Sequence, residues 1–264
     1  MQEPRVIHAT YPTATKFNLH FDPKKYLFEM FSAPDDEDRF GLTFMARVLK
    51  SLPDDLFVHE FGGGPTLYSV AALAPKAREI HFSDVVDASL HEVDLWLKNH
   101  KGAHNWDSYL ALALEAEGQT VSETRIKERA ELIRSRVSQL MRCDAQSTSP
   151  IGMQDMQYDL VTAHHCTDVA ATTVEEWIQV LKNVTKIVHP GGWLMLSVTT
   201  GARTYQVGDV IFQCVSLSPE DIRVGFHLAG YQANSIILET YELEGSQEYS
   251  GIVMAIAQLD RDKI

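Results

Sequence analysis

Glu60 and Asp84, with the glycines Gly62, Gly63 and Gly64 between them, are the residues whose types and spacing first suggest chemistry. Consecutive glycines let a ligand lie against bare backbone, where a Cβ at Gly62 or Gly64 would occupy its place. Glu60 ends the apolar run before the glycines, and Asp84 ends a second run twenty residues after Gly64. An acid at that second position accepts both hydroxyls of a ribose. An acid just before the turn suits a ligand bearing an ammonium group. The dinucleotide pattern G-x-G-x-x-G would need its third glycine at Leu67, and Pro65 removes an N–H that a pyrophosphate would use. S-adenosylmethionine (SAM) therefore fits these residues better than NAD.

Further acids and metal-type ligands lie downstream. Asp144 ends a third apolar run and is placed beside an adenine amino group, because ligands sit at the carboxyl ends of parallel strands. His164, His165, Cys166 and Asp168 follow a fourth run and invite a zinc reading. Adjacent side chains on an extended end point to opposite sides, and a zinc site needs three or four converging ligands, so no metal is expected. Asp35, Asp36, Glu37 and Asp38 head a helix running to about Leu52, where acids complement the helix dipole. They are read as that complement.

These residues need a frame. Phe57 to Glu60, the glycine turn and a helix over Thr66–Ala74 opened by Pro65 make a first βα crossover. Further strands are expected at Glu79–Asp84, Leu140–Cys143, Tyr158–Ala163, Trp193–Val198, Ser235–Leu243 and Gly251–Leu259. The last two have no helix between them and must be antiparallel. The expected fold is an α/β, Rossmann-like seven-stranded sheet, six strands parallel and one antiparallel. Residues 1–264 form one domain, with N-terminal lid helices in 1–52 and the core in 53–264. Asp22 and Pro23 start a short helix ending at Phe31, and the first ten or so residues carry no pattern. Two helical patterns occupy 103–140, one with the stripe Ile126, Ala130, Ile133, Val137 and Leu140. Thr173 to Val188 reads as a helix stopped by His189-Pro190-Gly191-Gly192.

Composition narrows the partners. The 264 residues carry 36 acids against 23 bases, a formal net charge of −13. That balance disfavours nucleic acid and anionic membrane surfaces. No apolar run approaches a membrane span, and Cys143, Cys166 and Cys214 lack C-x-x-C spacing. A cytoplasmic protein with reduced thiols is expected, acting as a monomer on a small molecule.

The glycine turn, Asp84, Asp144 and His189-Pro190-Gly191-Gly192 resemble class I SAM-dependent methyltransferases. More closely, Phe17–Leu259 resembles the nicotinamide, phenylethanolamine and indolethylamine (thioether) N-methyltransferase family. The resemblance rests on Phe21-Asp22-Pro23-Lys24-Lys25-Tyr26-Leu27, Gly62-Gly63-Gly64-Pro65-Thr66-Leu67-Tyr68, Leu95-Trp96-Leu97-Lys98, Trp106, Glu117-Gly118, Arg142-Cys143-Asp144, Cys166 with Asp168, and Tyr205 with Gly208. It implies a SAM site at Tyr26, Gly62, Gly64, Thr66, Tyr68, Asp84, Asp144, Ala145 and His164. Ser89 stands where the family has a ribose-binding Asn. Two departures concern the acceptor. Met30-Phe31 replaces a tyrosine pair, and Val198-Thr199-Thr200-Gly201-Ala202 lacks the acid that holds a substrate nitrogen.

The activity implied is N-methylation of a small aromatic heterocycle or amine by in-line displacement, with S-adenosyl-L-homocysteine (SAH) as product. An O- or S-methyltransferase, or a non-catalytic SAM-binding protein, remains open on the same fold. Phe17, Phe31, Asp168, Tyr205 and Glu248 are expected to build the acceptor pocket. Aromatic walls and few charges would suit a planar, largely neutral nitrogen heterocycle, and no residue is assigned as a catalytic base.

Overall fold

A computed structural model describes residues 5–6, 13–153, 155–243 and 249–262. The chain runs through β1 (Arg5–Val6), α1 (Thr13–His20), α2 (Pro23–Met30) and α3 (Asp36–Ser51). It then alternates β2 (Leu56–Phe61), α4 (Tyr68–Leu73), β3 (Ala77–Asp84) and α5 (Asp87–Leu97). Helices α6 (Asp107–Ala116) and α7 (Glu123–Arg136) precede β4 (Val137–Arg142), β5 (Tyr158–His164), α8 (Val174–Thr185) and β6 (Val188–Thr200). The hairpin β7 (Thr204–Val207) and β8 (Val210–Gln213), α9 (Pro219–Ala229), β9 (Ile237–Glu242) and β10 (Gly251–Gln258) complete the order.

Seven strands form one sheet in the order β4-β3-β2-β5-β6-β10-β9. β10 is antiparallel to both β6 and β9, and the other six strands run one way. The inner strands β2, β5 and β10 are buried on both faces because each face is covered. Leu42, Met45 and Leu110 of α3 and α6 pack on one side. Trp177 of α8 and Phe226 of α9 pack on the other. From β2 the chain first builds outward to β3 and β4, then returns to place β5 on the opposite side of β2. That reversal opens a crevice at the carboxyl ends of β2 and β5.

Several boundaries differ from the sequence expectation. Pro65 sits in a turn closed by Thr66 N on Gly63 O at 3.3 Å, three residues before α4 begins, because the glycine turn must finish first. Val137 and Leu140 leave the helical stripe and pair in β4 with Ile80 and Phe82, an apolar sheet edge. His189–Gly192 opens β6 instead of ending a helix: α8 stops at Thr185, and Val188 already pairs with Tyr158. Helix α1 and a small sheet, β1-β8-β7, were not expected. The expectation for the first ten residues falls almost wholly outside the described residues.

The inserted helices are fastened by a buried ion pair. Arg129 of α7 donates to Glu117 Oε1 at 2.7 Å and Oε2 at 2.6 Å, and also to Ala71 O at 2.5 Å. Arg129 is 5% exposed.

Candidate active site

The crevice is a cavity of about 610 Å³, floored by the ends of β2, β3 and β5. The glycine turn forms one wall. Gly62 and Gly64 have φ of 67° and 61°, and Gly63 N donates to Ser83 O at 3.0 Å. A Cβ on Gly64 would meet nothing within 4 Å, so bare backbone faces the cavity there. Gly62 differs from expectation: a Cβ would lie 2.6 Å from Cys166 Cβ, so this glycine makes room for protein as well as lining the cavity.

Asp84 is 6% exposed and ties this turn together. Its Oδ2 accepts from Gly64 N at 2.9 Å and its Oδ1 from Val86 N at 2.8 Å. Burial pushes its carboxyl up to about 6, against those bonds. Glu60 is 1% exposed and accepts from Thr162 Oγ1. Burial pushes Glu60 up to about 8 despite that bond. Both acids face the cavity, as does buried Ser89.

On the β5 side, His164 Nδ1 meets Ser197 Oγ at 3.2 Å, while Nε2 has no partner among the described residues. Burial, with His165 beside it, lowers His164 to about 3 and keeps the imidazole neutral. Asp168 is 1% exposed; its Oδ2 accepts from Thr199 N at 3.1 Å and its Oδ1 lacks a partner among the described residues. His165 Nδ1 faces Thr199 Oγ1 at 3.3 Å and Cys166 Sγ donates to Phe61 O at 3.2 Å. These groups are aimed at separate partners, and among the described residues no three His, Cys, Asp or Glu side chains are grouped to hold a metal. Asp144 and Ala145 line the same end; Asp144 Oδ1 accepts from Gln146 N at 2.9 Å.

The roof is aromatic. Phe17 of α1 stacks on Phe212 of β8 at 5.0 Å, and Phe212 stacks on Tyr205 of β7 at 5.2 Å. Tyr26 within α2 and Phe31 at its C-terminal cap lie 5.5 Å apart, and Phe31 stacks on Tyr68 at 5.8 Å. α1 is fixed to the sheet by Asn18 Nδ2 on Val85 O at 2.6 Å, and α2 to the hairpin by Gly208 N on Glu29 Oε2 at 2.9 Å.

Every residue expected at the SAM and acceptor sites lines this one cavity, apart from Glu248, which lies outside the described residues. The expectation of few charges fails. Glu37 and Asp38 also line it, as does Tyr249, whose hydroxyl donates to Glu37 Oε2 at 2.8 Å. Asp35 and Asp38 do form the capping box of α3, yet helix capping leaves Glu37 free to face inward. Only the facing of α3, which its own residues do not reveal, distinguishes the two uses.

The residues present fit SAM. Gly64 offers a flat approach, the carboxylates of Asp84 and Glu60 and the hydroxyl of Ser89 face the space where a ribose and an ammonium would lie, and His164 Nε2 is without a partner among the described residues. This sheet order and crevice define a class I SAM-dependent methyltransferase. The same fold occurs in the 1,6-didemethyltoxoflavin-N1-methyltransferase of Burkholderia thailandensis, with a TM-score of 0.55 at 11% identity over 98% of this chain and 100% of that one.

Residues 9–259 match the NNMT/PNMT/TEMT family, and the chain belongs to it. The indolethylamine N-methyltransferase of Oryctolagus cuniculus is 29% identical over 231 residues, covering 84% of this chain and 86% of that enzyme. The nicotinamide N-methyltransferase of Sus scrofa is 28% identical over 240 residues, covering 88% and 87%. The protein is thus a SAM-dependent methyltransferase. No helix among the described residues is long and apolar enough to cross a membrane.

Proposed function

We propose that this chain methylates a nitrogen of a small aromatic heterocycle or amine, as a cytoplasmic monomer whose residues 1–264 act as one domain with 1–52 as its lid. The N-methyltransferase names of its relatives support nitrogen as the acceptor atom. The observation that carries the reading is the open face of Gly64 between Glu60 and Asp84, in a cavity that continues under Phe17, Phe31 and Tyr205.

Bound against the glycine turn, SAM supplies a methyl on a sulfonium, open to one direct displacement. The chain contributes position. Asp84 and Ser89 would hold the ribose, Asp144, Ala145 and His164 the adenine end, and Tyr26, Thr66 and Tyr68 the methionine end. The aromatic roof excludes water and aligns the acceptor, and such alignment supplies roughly 7–11 kcal/mol of a barrier. No covalent enzyme intermediate is needed.

Calorimetric titration with SAH, followed by labelled-methyl transfer to amines, azaheterocycles, phenols and thiols, tests this. Label on nitrogen is expected. Label only on oxygen or sulfur would replace the nitrogen assignment, and SAH binding without any transfer would make the chain a SAM-binding protein.

A further inference from the structure

The acceptor end of the cavity carries charge of one sign. Glu29, Asp35, Glu37, Asp38, Glu60, Asp84, Asp144 and Asp168 line the cavity, and among the described residues no lysine or arginine does. Glu60 and Asp84 are accounted for by the ammonium and ribose of SAM, Asp144 by the adenine, Glu29 by Gly208 N and Asp35 by the cap of α3. Three acids remain. Thr199 and Ala202, after β6, bring no charge.

Asp38 is committed to the fold: its Oδ2 accepts from Tyr109 Oη at 2.9 Å and from Asp35 N at 3.1 Å. Glu37 is not. Tyr249 fixes its Oε2 at 2.8 Å, and its Oε1 receives no donor among the described residues. An independent feature points to a ligand in the same space: Asp168, 1% exposed and anchored by Thr199 N, presents an unpartnered Oδ1. Buried polar atoms are nearly always bonded, so a donor-bearing ligand is expected beside it. Tyr26 and Phe31 supply ring faces in the same cavity, and ring faces attract cations.

Resting on the methyltransferase reading, we propose that Glu37 is the carboxylate that receives the acceptor, and that the acceptor is a basic amine, cationic in water. A cation is costly to bury without a carboxylate, and α3 supplies here the one that the loop after β6 lacks. The ammonium gives one proton to Glu37, and the freed lone pair forms the N–C bond while the C–S electron pair stays on sulfur. The methylated amine leaves as a cation and the carboxyl returns its proton to water. Burial, with Asp35 and Asp38 nearby, pushes the Glu37 carboxyl up to about 7 despite the Tyr249 bond, which suits it to hold that proton.

Benzylammonium and benzyl alcohol, equal in shape and different in charge, are titrated into the SAH-loaded protein at neutral pH. The wild type should bind benzylammonium at least tenfold more tightly. Glu37→Gln should abolish the difference while leaving SAH and benzyl alcohol affinities unchanged. Asp36→Asn, an exposed change in the same helical turn, should keep it. Tyr249→Phe, which leaves Glu37 present and unanchored, should reduce the preference severalfold and serves if Glu37→Gln does not fold. Equal affinity for the two probes in the wild type, or an undiminished preference in Glu37→Gln, overturns the proposal. Failure of SAH to bind overturns the methyltransferase reading instead, and the two probes are then compared on the protein alone.

Discussion

In Asp84 the carboxylate proposed for the ribose also fastens the glycine turn through Gly64 N and the start of α5 through Val86 N. Asp84→Ala should therefore weaken SAH binding by about 1–3 kcal/mol and lower the melting temperature too. Asp84→Asn, keeping one acceptor oxygen, should separate the two effects, and unchanged SAH affinity in both variants would remove Asp84 from the site. Glu60 yields a pH dependence. Its folded value of about 8 lies above the ordinary 4.5, so the fold holds a proton that the unfolded chain has lost. Stability without ligand should fall as pH rises through that window. An ammonium beside Glu60 favours the ionised form, so SAH binding below pH 8 should release a proton and tighten as pH rises. Asp84 and Asp168, also raised, act in the same direction, and Glu60→Gln isolates the share of Glu60. Calorimetry in two buffers of different ionisation enthalpy measures it; no proton release would exclude Glu60 as the ammonium's partner.

The buried pair Arg129–Glu117 joins α6 and α7 to the backbone of α4 at Ala71. Glu117→Ala leaves the guanidinium buried without its carboxylate and should cost about 3–5 kcal/mol in urea unfolding. Phe212 is the middle ring between Phe17 and Tyr205. Phe212→Ala should strip amide-exchange protection from α1, β7 and β8 and leave the seven-stranded sheet protected; equal loss everywhere would mean the roof is not a separate unit. The sheet was legible in the sequence because its inner strands are buried on both faces and read as apolar runs, and Glu60, Gly64 and Asp84 were legible because a crossover fixes their spacing. β7 and β8 were not, since Thr204–Gln213 pairs outside the main sheet and carries no long apolar run. β4 was blurred because Val137 and Leu140 continue the helical period of α7 by accident of register. Glu37 was hidden by a sufficient alternative: acids at a helix start satisfy the dipole whether or not they also face a cavity.

The net charge of −13 and the acid-lined cavity put the whole molecule's field in favour of cationic ligands. Raising salt from about 0.01 M to about 1 M shortens the screening length from about 30 Å to about 3 Å. Association of benzylammonium should slow severalfold across that range in stopped-flow measurements, and that of benzyl alcohol should not; equal salt dependence would confine the selectivity to local contacts. The order of strands adds a consequence for biosynthesis. β10 lies between β6 and β9 but is translated after both. A ribosome therefore delivers five paired strands and the lone β9 before the strand that joins them, and the nascent β6 waits with an apolar, unpaired edge. The wait ends only when Gly251–Gln258 has emerged, which makes this stretch the moment when a nascent, chaperone-prone chain becomes an enzyme.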